Sequence, residues 1–146
     1  KKLEVYVNYR YIDEIHASSA AEVKAKKDTL RAERLRIRTT TASEVELLVL
    51  SKEIEVEALT ASEVELKGKA IAIEVTATTA AEVDAKKLLV NEARVRANTA
   101  AEVKVNPQKL LEARARTGAD IKYYNNKLES IETDKDFSGS IDYKKN

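Results

Sequence analysis

The sequence predicts an all-β fold, a single right-handed parallel β-solenoid of about six short coils. Three observations predict it. A five-residue phrase recurs, as SAAEV, TASEV or TAAEV and finally TGADI, beginning at residues 19, 41, 60, 79, 99 and 117. Apolar and polar residues alternate with period two in stretches such as KEIEVEA and EARVRAN. Apolar columns also appear when the copies are aligned, which is typical of stacked repeats.

Two features of the same phrase would also favour a helix. Thr79 with Glu82 and Thr99 with Glu102 have the spacing of a capping box, and Ala, Glu, Lys and Arg favour helices. Copies only 18 to 22 residues apart are too short for helical-hairpin repeats, which need about 33 to 47 residues. The period-two alternation therefore favours a coil of short strands joined by tight corners.

The alignment predicts which side chains face the core. Four residues after the Ser or Thr of each phrase lies an aliphatic column, comprising Val23, Val45, Val64, Val83, Val103 and Ile121. The columns six residues after and two, four and six residues before the Ser or Thr are apolar almost throughout. Stacked coils lie about 4.8 Å apart, so these columns bury one another while the alternate residues face solvent.

The outward positions predict charge pairing between adjacent coils. Arg36 is expected over Glu55, and Arg38 over Glu57. Such cross-strand pairs contribute about 0.2–1 kcal/mol each.

The length of the chain predicts one domain, residues 1–146, which we divide into three parts. Residues 1–18 are expected to form an N-terminal coil, 19–123 the repeat coils and 124–146 an irregular C-terminal cap. The inward residues expected at the two ends are Val5, Val7, Ile12 and Ile15, then Leu128, Ile131 and Ile141.

Composition argues against several function classes. The 26 Lys and Arg against 25 Asp and Glu give a net charge of +1, without the basic excess of a nucleic-acid binder. No apolar run is long enough for a transmembrane helix, so no membrane insertion is expected. There is no Cys, no phosphate-binding glycine loop, and a single histidine, His16. We therefore expect no cofactor and no enzymatic activity.

Several segments resemble a known family. LEVYVNYRYIDEIHASSAAEV, VKVNPQKLLEARARTGADIKYYNN and the final SGSI are similar to the head GIN domain of auto-transporter adhesins, from the envelopes of Gram-negative bacteria. The resemblance implies a β-helix without known catalysis. It also implies an extracellular, cell-surface or periplasmic location and a cell-surface protein or glycan as partner.

The corners depart from that family. Members usually carry glycine there, whereas this chain has Ala42, Ala61, Ala80 and Ala100, and only Gly118 keeps the pattern. Because alanine resists positive φ, these corners are expected to use other dihedral angles.

Two other functional interpretations stay open. Heavy use of Ala, Glu, Lys and Arg, with no Met or Trp, is also typical of an engineered, redesigned β-solenoid scaffold with no biological activity. A polysaccharide-cleaving solenoid enzyme would need acidic and basic groups beside one groove, which the sequence does not indicate.

The strongest candidate site is a column of carboxylates on the surface. It comprises Glu22, Glu44, Glu63, Glu82, Glu102 and Asp120. Like charges on neighbouring strands repel, so the column invites a cation or a basic partner. The alternative, which we favour, is that Lys and Arg from adjacent columns neutralise it.

A second, weaker candidate is a calcium site in DKDFSGSID. Asp134, Asp136, Ser138 and Asp142 have the spacing of EF-hand ligands, but Lys145 stands where the final Glu should be. A polar closing turn is the favoured interpretation.

The Ser and Thr that open each phrase form a third column. We expect a corner ladder in which their hydroxyls bond to turn backbone, in preference to an ice-binding array.

Overall fold

The computed structural model describes residues 4–146, apart from the side chain of Lys26. In this range the chain contains no helix, and its nine strands form one parallel sheet. The strands are β1 (Glu14–Ala17), β2 (Glu22–Thr39), β3 (Glu44–Leu59), β4 (Glu63–Thr78), β5 (Glu82–Ala97), β6 (Glu102–Ala115), β7 (Asp120–Tyr123), β8 (Ser130–Lys135) and β9 (Ser140–Tyr143). Each long strand stacks on the next, and β8 and β9 lie on β6 and β7, which gives a β-solenoid of about seven turns.

Equivalent residues of successive coils lie directly above one another, as the alignment predicts. Val45 is in register with Val64, and Val64 with Val83. All three are fully buried in a core made almost entirely of Ala, Val, Leu and Ile. Because each rung supplies the apolar neighbours of the next, the coils stabilise one another and no single coil could bury its inner face alone.

Most of the variation in repeat length is absorbed at one bend of the coil, and one further shift lies between Val90 and Glu92 of β5. In the first and longest coil, Lys24 pairs with Glu46, but the next paired residue, Thr29, is opposite Leu48. Residues 25–28 of β2 therefore face one residue of β3. At the same bend of later coils the register shifts by one residue after Glu65 and by three residues after Ala85. The flanking columns keep their register, so insertions here leave the core intact.

The expectation that the corner alanines avoid positive φ is wrong. Each of the six corners within the repeat phrases holds two successive residues with positive φ, for example Thr79 at 56° and Ala80 at 60°, and the alanines at 42, 61 and 100 behave alike. A threonine in this region is a marked outlier, because its branched side chain crowds the backbone. At three of these six corners an i to i+3 bond closes the turn, as between Ala101 N and Asn98 O. Two positive φ values are what a type I′ turn requires.

A ladder of backbone hydrogen bonds holds the corners in this conformation. Ala61 N donates to Thr79 O at 3.0 Å, and Ala80 N donates to Thr99 O at 2.9 Å. The pattern continues from corner to corner along the solenoid. These rungs run through carbonyl oxygens of the Thr residues, where hydroxyl bonds had been expected. The stacking offsets the left-handed strain, which costs about 1–2 kcal/mol per residue.

The N-terminal end differs from the predicted first coil. Ile12 and Ile15 pack against the core, as predicted. Val5 and Val7 were predicted to face inward, but they are 74% and 68% exposed, and the first strand begins only at Glu14. Residues 1–3 of the predicted coil lie outside the described part. Both valines lie before β1 and belong to no strand, so no paired coil covers their side chains.

The C-terminal end is more regular than predicted. Residues 130–143 continue the stack as β8 and β9 around a seventh corner. Leu128 and Ile141 pack against the core as expected. Ile131 sits on Leu111 in the inward column but is 48% exposed, because no further coil covers it.

We expect Ala80→Gly to raise the free energy of unfolding by about 1 kcal/mol, because glycine adopts positive φ without strain. Urea unfolding followed by circular dichroism measures this change. The matched control is Ala81→Gly at the next, buried position, which should lower stability. Equal destabilisation by both variants would contradict the left-handed corner.

Candidate functional site

The carboxylate column forms a straight ladder on the solenoid surface. Its members are paired in register from Glu22 to Glu44, Glu63, Glu82, Glu102 and Asp120. Each is the first residue of its strand after a corner, so the repeated turn fixes all six at one edge. Ser140 continues the column in the last coil, where its hydroxyl donates to Asp120 Oδ1 at 2.6 Å.

A second outward column, two residues further along each strand, decides the charge of this surface. It comprises Lys24, Glu46, Glu65, Asp84, Lys104 and Lys122. Over these six strands lysines stand at both ends of the column and carboxylates in the middle, and Asp142 follows Lys122 in the last coil.

The lysines neutralise the ends of the carboxylate ladder. Lys24 forms an ion pair with Glu22 and approaches Glu44 at 3.6 Å. At the other end Lys122 Nζ lies 2.9 Å from Glu102 and 3.1 Å from Asp120. These contacts agree with the favoured interpretation for the ends of the column.

The middle of the surface keeps an excess of negative charge. Six carboxylates from three successive coils meet here, and we call them the acidic face: Glu44, Glu46, Glu63, Glu65, Glu82 and Asp84. Lys67 lies 3.1 Å from Glu65 and 3.8 Å from Glu46, and Lys104 reaches Glu82 at 3.5 Å. Partial burial, followed by repulsion from Glu82 and Glu44, raises the pKa of Glu63.

At the C-terminal end of the carboxylate ladder the pKa values are lowered, in contrast to that of Glu63. A hydrogen bond from Lys122, supported by Lys104, lowers the pKa of Glu102. The pKa of Asp120 is also lowered, because bonds from Ser140 and Lys122 outweigh its partial burial. Equivalent positions of one ladder thus differ because their neighbours differ.

The surface on the other side of the coil carries the predicted charge pairs. Arg36 Nε lies 3.4 Å from Glu55, and Arg38 Nε lies 3.7 Å from Glu57. Two further pairs follow the same rule, Arg34 with Glu53 at 2.8 Å and Arg94 with Glu112 at 3.2 Å. The side chains of these eight residues are exposed, so each pair contributes no more than about 1 kcal/mol.

The four candidate calcium ligands lie at the seventh corner. Asp134 forms an ion pair with Arg116 at 2.7 Å, and Asp142 stands opposite Lys122 on the acidic-face side. Ser138 accepts from Gly118 N at 3.1 Å and donates to Asp136. The four residues belong to one corner and to two different sides of the coil.

Asp136 takes a structural part in this corner. Its carboxylate accepts bonds from the backbone N–H groups of Thr117, Ser138 and Gly139 at 2.8–3.1 Å. The bond from Thr117 and those from the turn lower its pKa. Gly139 is needed beside it, because a Cβ there would lie 2.3 Å from Ala115 O. The carboxylate oxygens of Asp136 already accept these backbone hydrogen bonds. Calcium binding at this corner stays a prediction.

The described residues 4–146 hold no cluster of three or more His, Cys, Asp or Glu side chains arranged for a metal ion. His16 is exposed. Tyr6, Tyr9 and Tyr11 lie at the N-terminal end, whereas Tyr123 packs against Tyr143 at the other end, so the tyrosines form no common patch. In the same range, no helix is long and apolar enough to cross a membrane.

Sequence reasoning found the carboxylate ladder but missed the acidic face. It overlooked Glu46, Glu65 and Asp84, although the signal was present two residues after each member of the ladder. The interaction of these residues depends on the outward column of one strand lying beside its neighbour, which the aligned columns could have shown.

The fold and these surfaces define the class: a parallel β-solenoid with charged outward columns. Residues 1–126 match the family described as "Putative auto-transporter adhesin, head GIN domain". The chain belongs to this family, as its corner and strand segments indicated. Searches of curated proteins and of solved structures gave no match. None of these findings supports the alternative of a redesigned scaffold.

Glu63→Gln should raise the free energy of unfolding at neutral pH by about 0.5 kcal/mol, the size of exposed charge interactions. The raised pKa means that ionised Glu63 is disfavoured in the folded state, so stability is lost as pH rises through that pKa.

Glu102→Gln is the matched control and should lower stability at neutral pH. The lowered pKa of Glu102 means that its contribution is present above the unfolded pKa and is lost as pH falls through the folded pKa. Urea unfolding at neutral pH and at about pH 3, below the ordinary pKa of a glutamate, measures both differences. Effects of equal sign at neutral pH would contradict the two environments.

Proposed function

We propose that the chain is a non-catalytic, adhesin-like structural module of the cell envelope, which contacts a cell-surface protein or glycan. The observation that carries the proposal is the family match over residues 1–126. The family name indicates an adhesin, and from it we infer an extracellular, cell-surface or periplasmic location.

The architecture supports a role in presenting surfaces. Parallel coils in register hold their outward columns at fixed spacing, so a partner meets a regular array of charges. The acidic face and the ion-paired side are two such arrays with different net charge. A stiff aliphatic core under both suits a module that spaces and displays contacts.

The concave places on the surface also favour binding over catalysis. One open depression is lined by Glu33, Arg34, Lys52 and Glu53. These four pair as Lys52 with Glu33 at 2.6 Å and Arg34 with Glu53 at 2.8 Å, and their side chains are more than half exposed. Catalytic acids and bases usually lie in clefts that shift their pKa values by burial. The depression therefore gives little support to the alternative function of a polysaccharide-cleaving enzyme.

The proposal is tested by coupling the folded domain to beads and measuring binding to panels of extracellular proteins and glycans. We expect saturable binding to at least one member that is reduced at least fivefold by removing two carboxylates from one side of the coil. Glu63→Gln with Glu65→Gln removes two of the six carboxylates of the acidic face, and Glu55→Gln with Glu57→Gln is the matched variant on the other side.

Two outcomes would overturn this function. One is cleavage of a polysaccharide in the same panel, since the module is proposed to be non-catalytic. The other is absence of saturable binding together with fractionation of the native protein into the cytoplasm.

A further inference from the structure

The exposed large apolar side chains of the interior coils lie on one side of the solenoid. Over the strands from β2 to β7 the described residues expose four of them, Leu48, Leu50, Ile71 and Leu89. Leu48 and Leu50 flank the buried Val49, so alternation along β3 directs both outward. Leu50 is in register with Lys69, and Lys69 with Leu89. The four residues therefore form one patch across three successive coils, on the stretch that follows the bend.

The same stretch carries cations and no carboxylate. Residues 47–52, 66–72 and 85–91 read LLVLSK, LKGKAIA and AKKLLVN, without Asp or Glu. Lys69 and Lys87 are exposed, and neither forms an ion pair within the described part of the chain. Six exposed residues thus share this side, and we call them the basic–apolar face: Leu48, Leu50, Lys69, Ile71, Lys87 and Leu89.

Apolar and basic side chains alternate from coil to coil on this face. Leu50 of β3 is followed by Lys69 of β4 and then by Leu89 of β5. Neighbouring rungs lie about 4.8 Å apart, so each exposed leucine has a lysine beside it. A partner that covers the face must therefore offer negative charge and an apolar layer at almost the same place. The phosphates and the acyl boundary of an anionic lipid bilayer supply both.

Other partners would satisfy only half of this pattern. An acidic glycan or a nucleic acid would pair with Lys69 and Lys87, but it would press the leucines against polar groups that lose their water. A second copy that met the face with its own basic–apolar face would place lysines against lysines. A second copy that met it with the acidic face would place the leucines against carboxylates.

We propose that the basic–apolar face is a peripheral docking surface for an anionic phospholipid bilayer, which the chain contacts without spanning it. Lys69 and Lys87 approach the lipid phosphates, while Leu50, Ile71 and Leu89 enter the boundary between headgroups and acyl chains. The acidic face lies before the bend, and repulsion by the same lipids turns it away from the membrane. This lipid contact goes beyond the binding of a surface protein or glycan, and it leaves the acidic face free for such a partner.

Co-sedimentation with lipid vesicles tests the electrostatic part. We expect binding to phosphatidylcholine vesicles with about 30% phosphatidylglycerol to exceed binding to pure phosphatidylcholine at least about fivefold, and to fall as salt rises. Lys69→Glu with Lys87→Glu should lower the binding to anionic vesicles at least about tenfold. The matched control is Arg96→Glu with Arg114→Glu, the same change of charge at two exposed positions of the ion-paired side. This control should keep at least about half of the binding, because those positions face away from the lipid.

Tryptophan fluorescence tests the apolar part. The chain has no tryptophan, so Leu50→Trp introduces a single reporter on the basic–apolar face. Its emission should shift to the blue on anionic vesicles and be quenched by brominated acyl chains. Ile131→Trp is the matched control at an exposed position of the last rung and should show neither effect. Because the replaced side chains are exposed, circular dichroism should be unchanged in every variant.

Three outcomes would overturn the lipid contact. Equal binding to both kinds of vesicle, or binding to neither, would show that the lysine stems only cover the leucines. Equal losses from the two charge-reversed pairs would indicate attraction without a defined face. An unshifted emission of vesicle-bound Leu50→Trp would mean that the leucines stay outside the bilayer. None of these results bears on binding to the panels of proteins and glycans, so the two proposals fail separately.

Discussion

The parallel hydrogen-bonded stacking of successive coils is the constraint on which the rest of this structure depends. It sets the separation of neighbouring rungs near 4.8 Å and brings residues about 19 positions apart into register. The aliphatic columns follow from it, since each side chain must pack on its counterpart above and below. The corners follow as well, because the chain must reverse at the same point in every coil. Alanine and threonine accept positive φ there only because the backbone ladder holds them.

The same stacking governs the electrostatics of the surface. A residue repeated in every coil becomes a line of identical charges, which no isolated strand would experience. Lysines at the two ends of the carboxylate ladder relieve this repulsion, and the acidic face between them retains it in part. The opposite shifts in pKa at Glu63 and Glu102 therefore arise from position along the stack. A partner that binds the acidic face would contact a charge pattern spread over three coils.

Stacking alone does not bury the inward side chains at the two ends of the solenoid. A solenoid has a first and a last rung, and each exposes inward columns that interior rungs bury. In the last described rung, Ile131 on Leu111 is left 48% exposed beside Thr133 and Lys135, whereas Leu111 beneath it is fully buried.

The sequence by itself determined the fold class, the aliphatic columns and the charge pairs such as Arg36 with Glu55. These depend on a short repeat and on period-two alternation, both visible without coordinates. Only the tertiary structure decided that Ala80 takes a left-handed conformation, since its cost is offset by bonds to another coil. Only the structure placed Val5 outside the core and Asp136 beneath a corner. Those outcomes depend on whether a neighbouring rung is present, and that is a property of the whole stack.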